Sequence, residues 1–238
     1  VSGEWRYKIG MQSSPMPATT TLHYLPGSLF KATLAPAFDF NIKGVLWYQG
    51  ESNVERSKSP HIPEKLLPTT SSAEEYATLL PDLIRDWRKH FNQGDLPFLF
   101  VQLPNFLPAQ PEPGESAWAD LRQAQAKALK LKNTGMVVAI ETGEWNDIHQ
   151  LNKKDIGQRL ALQARKIAYG EKSLVASGPT VKSVKCKGNQ LIVTFNNVGK
   201  GIRIDGESPQ HVAISGEDKK FVWAEAEVKG NELRGWSD

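Results

Sequence analysis

Three short runs of consecutive apolar residues constrain this chain more than any other feature: Ile42–Tyr48, Pro97–Leu103 and Met136–Thr142. A strand with one wet face alternates apolar and polar residues, whereas an unbroken run suits a strand covered on both faces. The segments between and after these runs have helical spacing. In SAEEYATLLPDLIRDWRKHF, residues Tyr76, Leu79, Leu80, Leu83, Ile84 and Trp87 fall on one stripe, with Ser72 placed as a cap. SAWADLRQAQAKALKL and KKDIGQRLALQARKIAYG repeat the pattern, the second closed by Gly170. Strand and helix in regular alternation predict an α/β fold, a doubly wound parallel sheet with helices on its faces.

Two stretches fall outside that rhythm. Residues 1–41 carry Pro15, Pro17, Pro26 and Pro36 and read as loop, with a short helix after Gly27 capped by Ser28 and ended by Pro36. Residues 54–72 are charged, proline-punctuated and aperiodic, an inserted loop. From about Ser177 the pattern changes again, to short alternating segments separated by Gly-Asn and Asp-Gly turns. The chain therefore divides into residues 1–176 and an antiparallel β module, 177–238, in which nothing resembles a site and which reads as a structural cap.

Composition excludes several classes. The net charge of +3 comes from 29 basic and 26 acidic residues with no basic run interleaved with aromatics, so no nucleic-acid footprint is visible. No apolar stretch reaches the length of a membrane span. The single cysteine, Cys186, rules out an intramolecular disulfide and a cysteine-based metal site.

The apolar runs end abruptly in polar residues. Ile42–Tyr48 gives way to Gln49, Gly50, Glu51, Ser52 and Asn53, Pro97–Leu103 contains Gln102, and the loop after Met136–Thr142 carries Asp147 and His149. Ligands of doubly wound sheets bind beyond the carboxyl ends of the strands, so parallel strands would bring these residues to one edge. The residue types suit acyl transfer. An imidazole takes a proton from a hydroxyl nucleophile, a carboxylate fixes its tautomer, and amide or backbone N–H groups hold the oxyanion. Gly50 would let the backbone bend tightly there.

Plainer readings exist for each residue. Glu51 could cap a following helix, and Gln49 and Asn53 could simply hold their loop. Of the five histidines, His23, His61 and His211 read as loop or strand-flank residues, and His90 suits a helix C-terminus. His149 stands apart because a carboxylate lies two residues before it at a strand end. A metallohydrolase is disfavoured, since one Asp-x-His pair offers too few ligands.

The segments KGVLWYQGESN, AEEYATLLPDLIRDWR, PFLFVQLPNF, WADLRQAQ and NDIHQLNKKDIGQRLAL together resemble the sialate O-acetylesterase family, in order and over nearly the whole chain. The resemblance implies a flavodoxin-like, SGNH-hydrolase-type sheet and removal of acetyl esters from sugars, typically sialic acids, without a cofactor or metal. It implies His149 as base, Asp147 as the nearby acid, and Gln49, Gly50 and Glu51 as the segment lining the site; Asn53 and Gln102, polar residues at the same strand ends, are the further candidates for holding substrate or oxyanion. An extracytoplasmic location follows from the resemblance alone.

Departures accompany the match. The acid of the usual Asp-x-x-His pattern is replaced by Asn146, so whether Asp147 or Glu51 orients His149 stays open. Gln150 stands where the family has proline. The 54–72 insertion is longer than expected and could wall the sugar site. The family's nucleophilic serine lies on a strand well before the Gln-Gly-Glu segment, whereas Ser13 sits too close to it and lacks a preceding buried run. The expectation is that the first strand and its serine lie in sequence beyond Val1, with more strand beyond Asp238, so that an N-terminal part would be the partner carrying the nucleophile. The competing reading is a catalytically inactive sugar-binding or scaffold protein on a degenerate esterase fold.

Overall fold

The computed structural model describes residues 8, 10, 11, 27–54 and 71–237. The chain forms two compact units divided after Phe40. In the first, the expected short helix is a π-type turn, Phe30–Leu34, continuing into a 3-10 turn, Ala35–Ala37, so Pro36 sits inside helical backbone rather than ending it.

The second unit is built on a parallel sheet. Its strands are β1 (Val45–Trp47), β2 (Phe98–Val101) and β3 (Thr134–Val137), in spatial order β1-β2-β3, with Val45 beside Phe98 and Phe98 beside Thr134. Helix α1 (Ser72–Phe91) connects β1 to β2, α2 (Ala117–Ala126) connects β2 to β3, and α3 (Lys153–Ile167) follows β3. Both crossovers step the same way across the sheet, and with right-handed connections that leaves α1 and α2 on one face. Trp87 of α1 meets Trp47 and Phe98 edge-on, while Gln163 and Ile167 of α3 approach Leu99 and Gly135 from the other face. β2 is central and wholly buried, as its unbroken apolar run requires.

Local sequence explains the element ends. The cap of α1 is Ser71, one residue earlier than expected, and it forms a reciprocal capping box with Glu74. Pro81 lies inside α1 and is buried. Ser116 and Asn152 cap α2 and α3 by accepting from Ala119 and Asp155 backbone N–H groups. The third strand begins two residues earlier than the apolar run and ends at Val137, because the chain bends into a 3-10 turn, Ile140–Thr142. β1 is also shorter than its run, and Leu46 is 64% exposed, so among the described residues one face of this strand is uncovered. Gln93 grips the entry to β1, accepting from the Ile42 N–H and donating to its carbonyl.

The β module is antiparallel, as the turns predict. β4 (Thr180–Lys187), β5 (Gln190–Asn196), β8 (Glu225–Lys229) and β9 (Glu232–Trp236) form a sheet ordered β4-β5-β9-β8, and β6 (Ala213–Ser215) pairs with β7 (Phe221–Trp223). Two-residue turns at Gly188-Asn189 and Gly230-Asn231 join β4 to β5 and β8 to β9. Each glycine takes φ near +60°, the backbone such hairpins need.

Candidate active site

The carboxyl ends of β1, β2 and β3 share one edge of the sheet, and the polar segments that follow them meet there. After Trp47 the chain runs through Tyr48 and Gln49 to Gly50, whose φ of +155° favours a residue without a Cβ. A Cβ there would lie 3.3 Å from both Leu103 and the Gln125 amide. Residues Glu51–Asn53 then form a 3-10 turn. The Glu51 carboxylate accepts from the Gly50 N–H at 2.9 Å, and the Gln49 amide donates to Asn53 Oδ1 at 2.8 Å.

Two side chains from the helical face fix this tip. Tyr76 of α1 donates its hydroxyl to the Gln49 carbonyl at 3.1 Å. Gln125 of α2, fully buried, accepts from the Leu103 N–H and donates to the Val101 carbonyl, so it ties the end of β2 to α2. Its amide also reaches the Gln49 carbonyl, at 3.4 Å. Gln102 is buried and donates to the Arg122 carbonyl of α2 at 2.9 Å, which engages its amide with the helix layer.

The third segment is the loop between β3 and α3. Gly143 packs so closely on Asn105 that a Cβ would lie 2.1 Å from the Asn105 carbonyl oxygen. The Asp147 carboxylate accepts from the His149 backbone N–H at 2.7 Å, and the same oxygen lies 3.9 Å from His149 Nδ1. That distance brings acid and ring close without a hydrogen bond between them. The His149 side chain is 90% exposed. Glu144 closes the loop from its other side by accepting from the Leu151 N–H at 2.8 Å. Among the described residues no hydrogen bond or ion pair joins Glu51 to His149.

The first and third segments are nonetheless in direct contact. Gln150, immediately after His149 and 1% exposed, donates to the Tyr48 hydroxyl, immediately before Gln49. Tyr48 packs with Leu160 against Val101, Ala139 and Ile156, a cluster that joins all three strand ends to α3, and Lys153 Nζ sits 4.9 Å from its ring centroid. Burial pushes the Tyr48 phenol above its ordinary pKa, the Gln150 hydrogen bond opposes this, and the Glu51 charge adds to it. Tyr76 is raised in the same way, chiefly by burial and further by Glu51. Both phenols therefore remain neutral hydroxyls around the Glu51 carboxylate at neutral pH.

Tyr48, Tyr76, Gln125, Glu144 and Gln150 do not stand out in the sequence. Tyr48 and Gln125 sit inside apolar or helical patterns, and Gln150 is marked only by following His149 at the position where the family has proline. Ser13, His23, His61 and nearly all of the 54–72 insertion lie outside the described residues.

Among known proteins, residues 27–166 match the family described as carbohydrate esterase, sialic acid-specific acetylesterase. The sialate O-acetylesterase of Mus musculus is 31% identical over 66% of this chain and 29% of its own length. That of Rattus norvegicus is 30% identical over 84% of this chain and 37% of its own. A carbohydrate acetylesterase from Xanthomonas citri superposes with a TM-score of 0.77 at 37% identity, covering 88% of this chain and 45% of that one. The chain thus spans roughly a third of the length of the curated relatives it matches. With more than half of its residues inside the family match, this chain belongs to the carbohydrate esterase family of sialic acid-specific acetylesterases.

Proposed function

We propose that this chain carries the acid–base half of an esterase that removes O-acetyl groups from sugars, sialic acids foremost. His149 is the general base, and Asp147 holds it in place and balances its charge. Glu51 is the second acid of the site. Gln49, Gly50 and Asn53 line the acyl end, and Gln102 acts from behind by anchoring the end of β2. The observation that carries the reading is the Tyr48–Gln150 contact, which supports bringing the Gln49–Asn53 and Asp147–His149 segments to one edge.

The nucleophilic serine in this reading comes from a further strand beside β1. Among the described residues β1 pairs along one edge only, with β2. A groove of about 480 Å³ is lined by Trp47, Gln49 and Asn53 together with Tyr76, Leu79 and Leu83 of α1. It gives apolar side chains of an added strand a place to pack, ending at the Gln49 tip. The serine Oγ would attack the acetyl carbonyl while His149 takes its proton; the tetrahedral oxyanion collapses as His149 returns the proton to the departing sugar oxygen. Water then hydrolyses the acetyl-enzyme by the same route, releasing acetate.

The reading assigns the chemistry to residues 1–176 and leaves 177–238 outside it. An extracytoplasmic protein would meet such glycans. The test is acetate release from O-acetylated sialic acid by the protein expressed from its full reading frame. Saturable release that is abolished by a serine-directed organophosphate supports the proposal; no release under conditions where the protein is folded contradicts it.

A further inference from the structure

We propose a second, separate sugar site in the β module: a cleft that takes a neutral pyranose ring, independent of the hydrolytic reading above. The cleft has a volume of about 550 Å³ and lies between the Gln110-Pro111 segment of the loop after β2 and the strands β7, β8 and β9. Its working surface is two indoles, Trp223 and Trp236, with Gln210, His211 and Glu225 among the polar groups around them.

Both indole N–H groups are already used inside the protein. Trp223 Nε1 donates across the cleft to the Pro111 carbonyl at 2.7 Å, and Trp236 Nε1 donates to Glu225 Oε2 at 3.1 Å. What the rings offer a ligand is therefore carbon surface, held in fixed planes. Trp223 remains 40% exposed, so part of its ring surface is open to a ligand. His211 meets Trp223 edge-on with centroids 5.8 Å apart, and it does so from a backbone φ of +58°.

Flat apolar walls beside planar amide, carboxylate and imidazole groups match the two sides of a sugar. Its C–H face stacks on indole, and its hydroxyls reach groups that can pair with two neighbouring oxygens. Among the described residues, those lining the cleft include Glu225 and no lysine or arginine, so the charge disfavours phosphate and carboxylate ligands. A neutral sugar fits; an acidic one is opposed by Glu225.

The test needs no turnover, so its failure is separable from failure of the esterase reading. In a uniformly 15N-labelled sample the seven tryptophans report through their indole N–H resonances. Trp223→Phe and Trp236→Phe assign the two that matter. Cellobiose, lactose and mannobiose are titrated in turn, with N-acetylneuraminic acid as the anionic comparison. The expected result is a saturable shift of the Trp223 and Trp236 resonances with at least one neutral disaccharide and a weaker response to the acid. Trp223→Ala should then weaken that binding about tenfold, in keeping with loss of one stacking surface. Gln210→Ala, which leaves both indole walls intact, should weaken it severalfold. No saturable shift with any of the three disaccharides, shifts confined to other indoles, or tighter binding of the acidic sugar would overturn the proposal.

Discussion

The buried amide of Gln150 donates to the hydroxyl of Tyr48, 102 residues earlier in the chain. Each is the immediate neighbour of a candidate site residue, Gln49 on one side and His149 on the other. The contact fixes the loops that follow β1 and β3 against each other, across β2. It also sets what can be broken without touching a reacting group.

Tyr48→Phe should act through that contact alone. It leaves the ring in its cluster but removes the acceptor of a side chain that is 1% exposed. An orphaned buried amide costs about 1–3 kcal/mol. Thermal or urea unfolding should show that loss. The double variant Tyr48→Phe/Gln150→Leu should be less unstable than the sum of the two single changes.

Two substitutions separate the charge of Asp147 from its hold on the His149 backbone. Asp147→Asn keeps an oxygen for the His149 N–H and removes the charge, whereas Asp147→Ala removes both. If Asp147 balances the imidazolium, both variants should lower kcat by tenfold or more, the alanine further, with KM little changed. Glu51→Gln should fall less. A larger loss for Glu51→Gln than for Asp147→Asn would transfer the role to Glu51.

Gly143→Ala tests the packing beneath the loop. The new Cβ would meet backbone at 2.1 Å, so either the Asn105 segment or the Glu144–His149 loop must move. Activity should fall, because a shift of the Glu144–His149 loop carries His149 with it. A crystal structure of the variant with His149 unmoved would contradict this.

The Arg159–Glu141 pair gives a pH dependence. Burial raises the Glu141 carboxyl, but the hydrogen bond and charge of Arg159 outweigh it and leave the pKa below its ordinary value. A carboxyl lowered by folding contributes stability above its unfolded pKa, and that contribution fades as pH falls through the folded one. The pair is largely exposed, so the effect is small. Glu141→Gln should lower Tm slightly at neutral pH, and the difference from the parent should vanish in acid. Arg159 also donates to the Val138 carbonyl at 2.6 Å, so Arg159→Ala should additionally speed amide exchange where β3 ends.

The parallel sheet was legible because its strands lie in apolar runs and its helices carry clear stripes, such as Tyr76 to Trp87 in α1, and the antiparallel module because Gly188 and Gly230 open its hairpin turns. Strand ends were less so. Val138 and Ile140 continue the apolar run of β3 but are partly exposed in the turn that follows, and residue type alone does not mark the bend. Gly50, Glu51, Asp147 and His149 announced themselves as polar residues after buried runs. Tyr48, Gln125 and Gln150 did not, because a buried polar side chain is recognised by its partner, and those partners lie far away in sequence. The Trp223–Trp236 cleft was hidden for the same reason: its walls come from separate hairpins and from Pro111.

The most direct measurement is kcat for acetate release from O-acetylated sialic acid, comparing the parent protein from the full reading frame with His149→Ala. A general base positioned at this edge predicts a loss of about a hundredfold or more with the fold intact. A folded His149→Ala protein within about twofold of the parent, far below what general-base catalysis supplies, would contradict it.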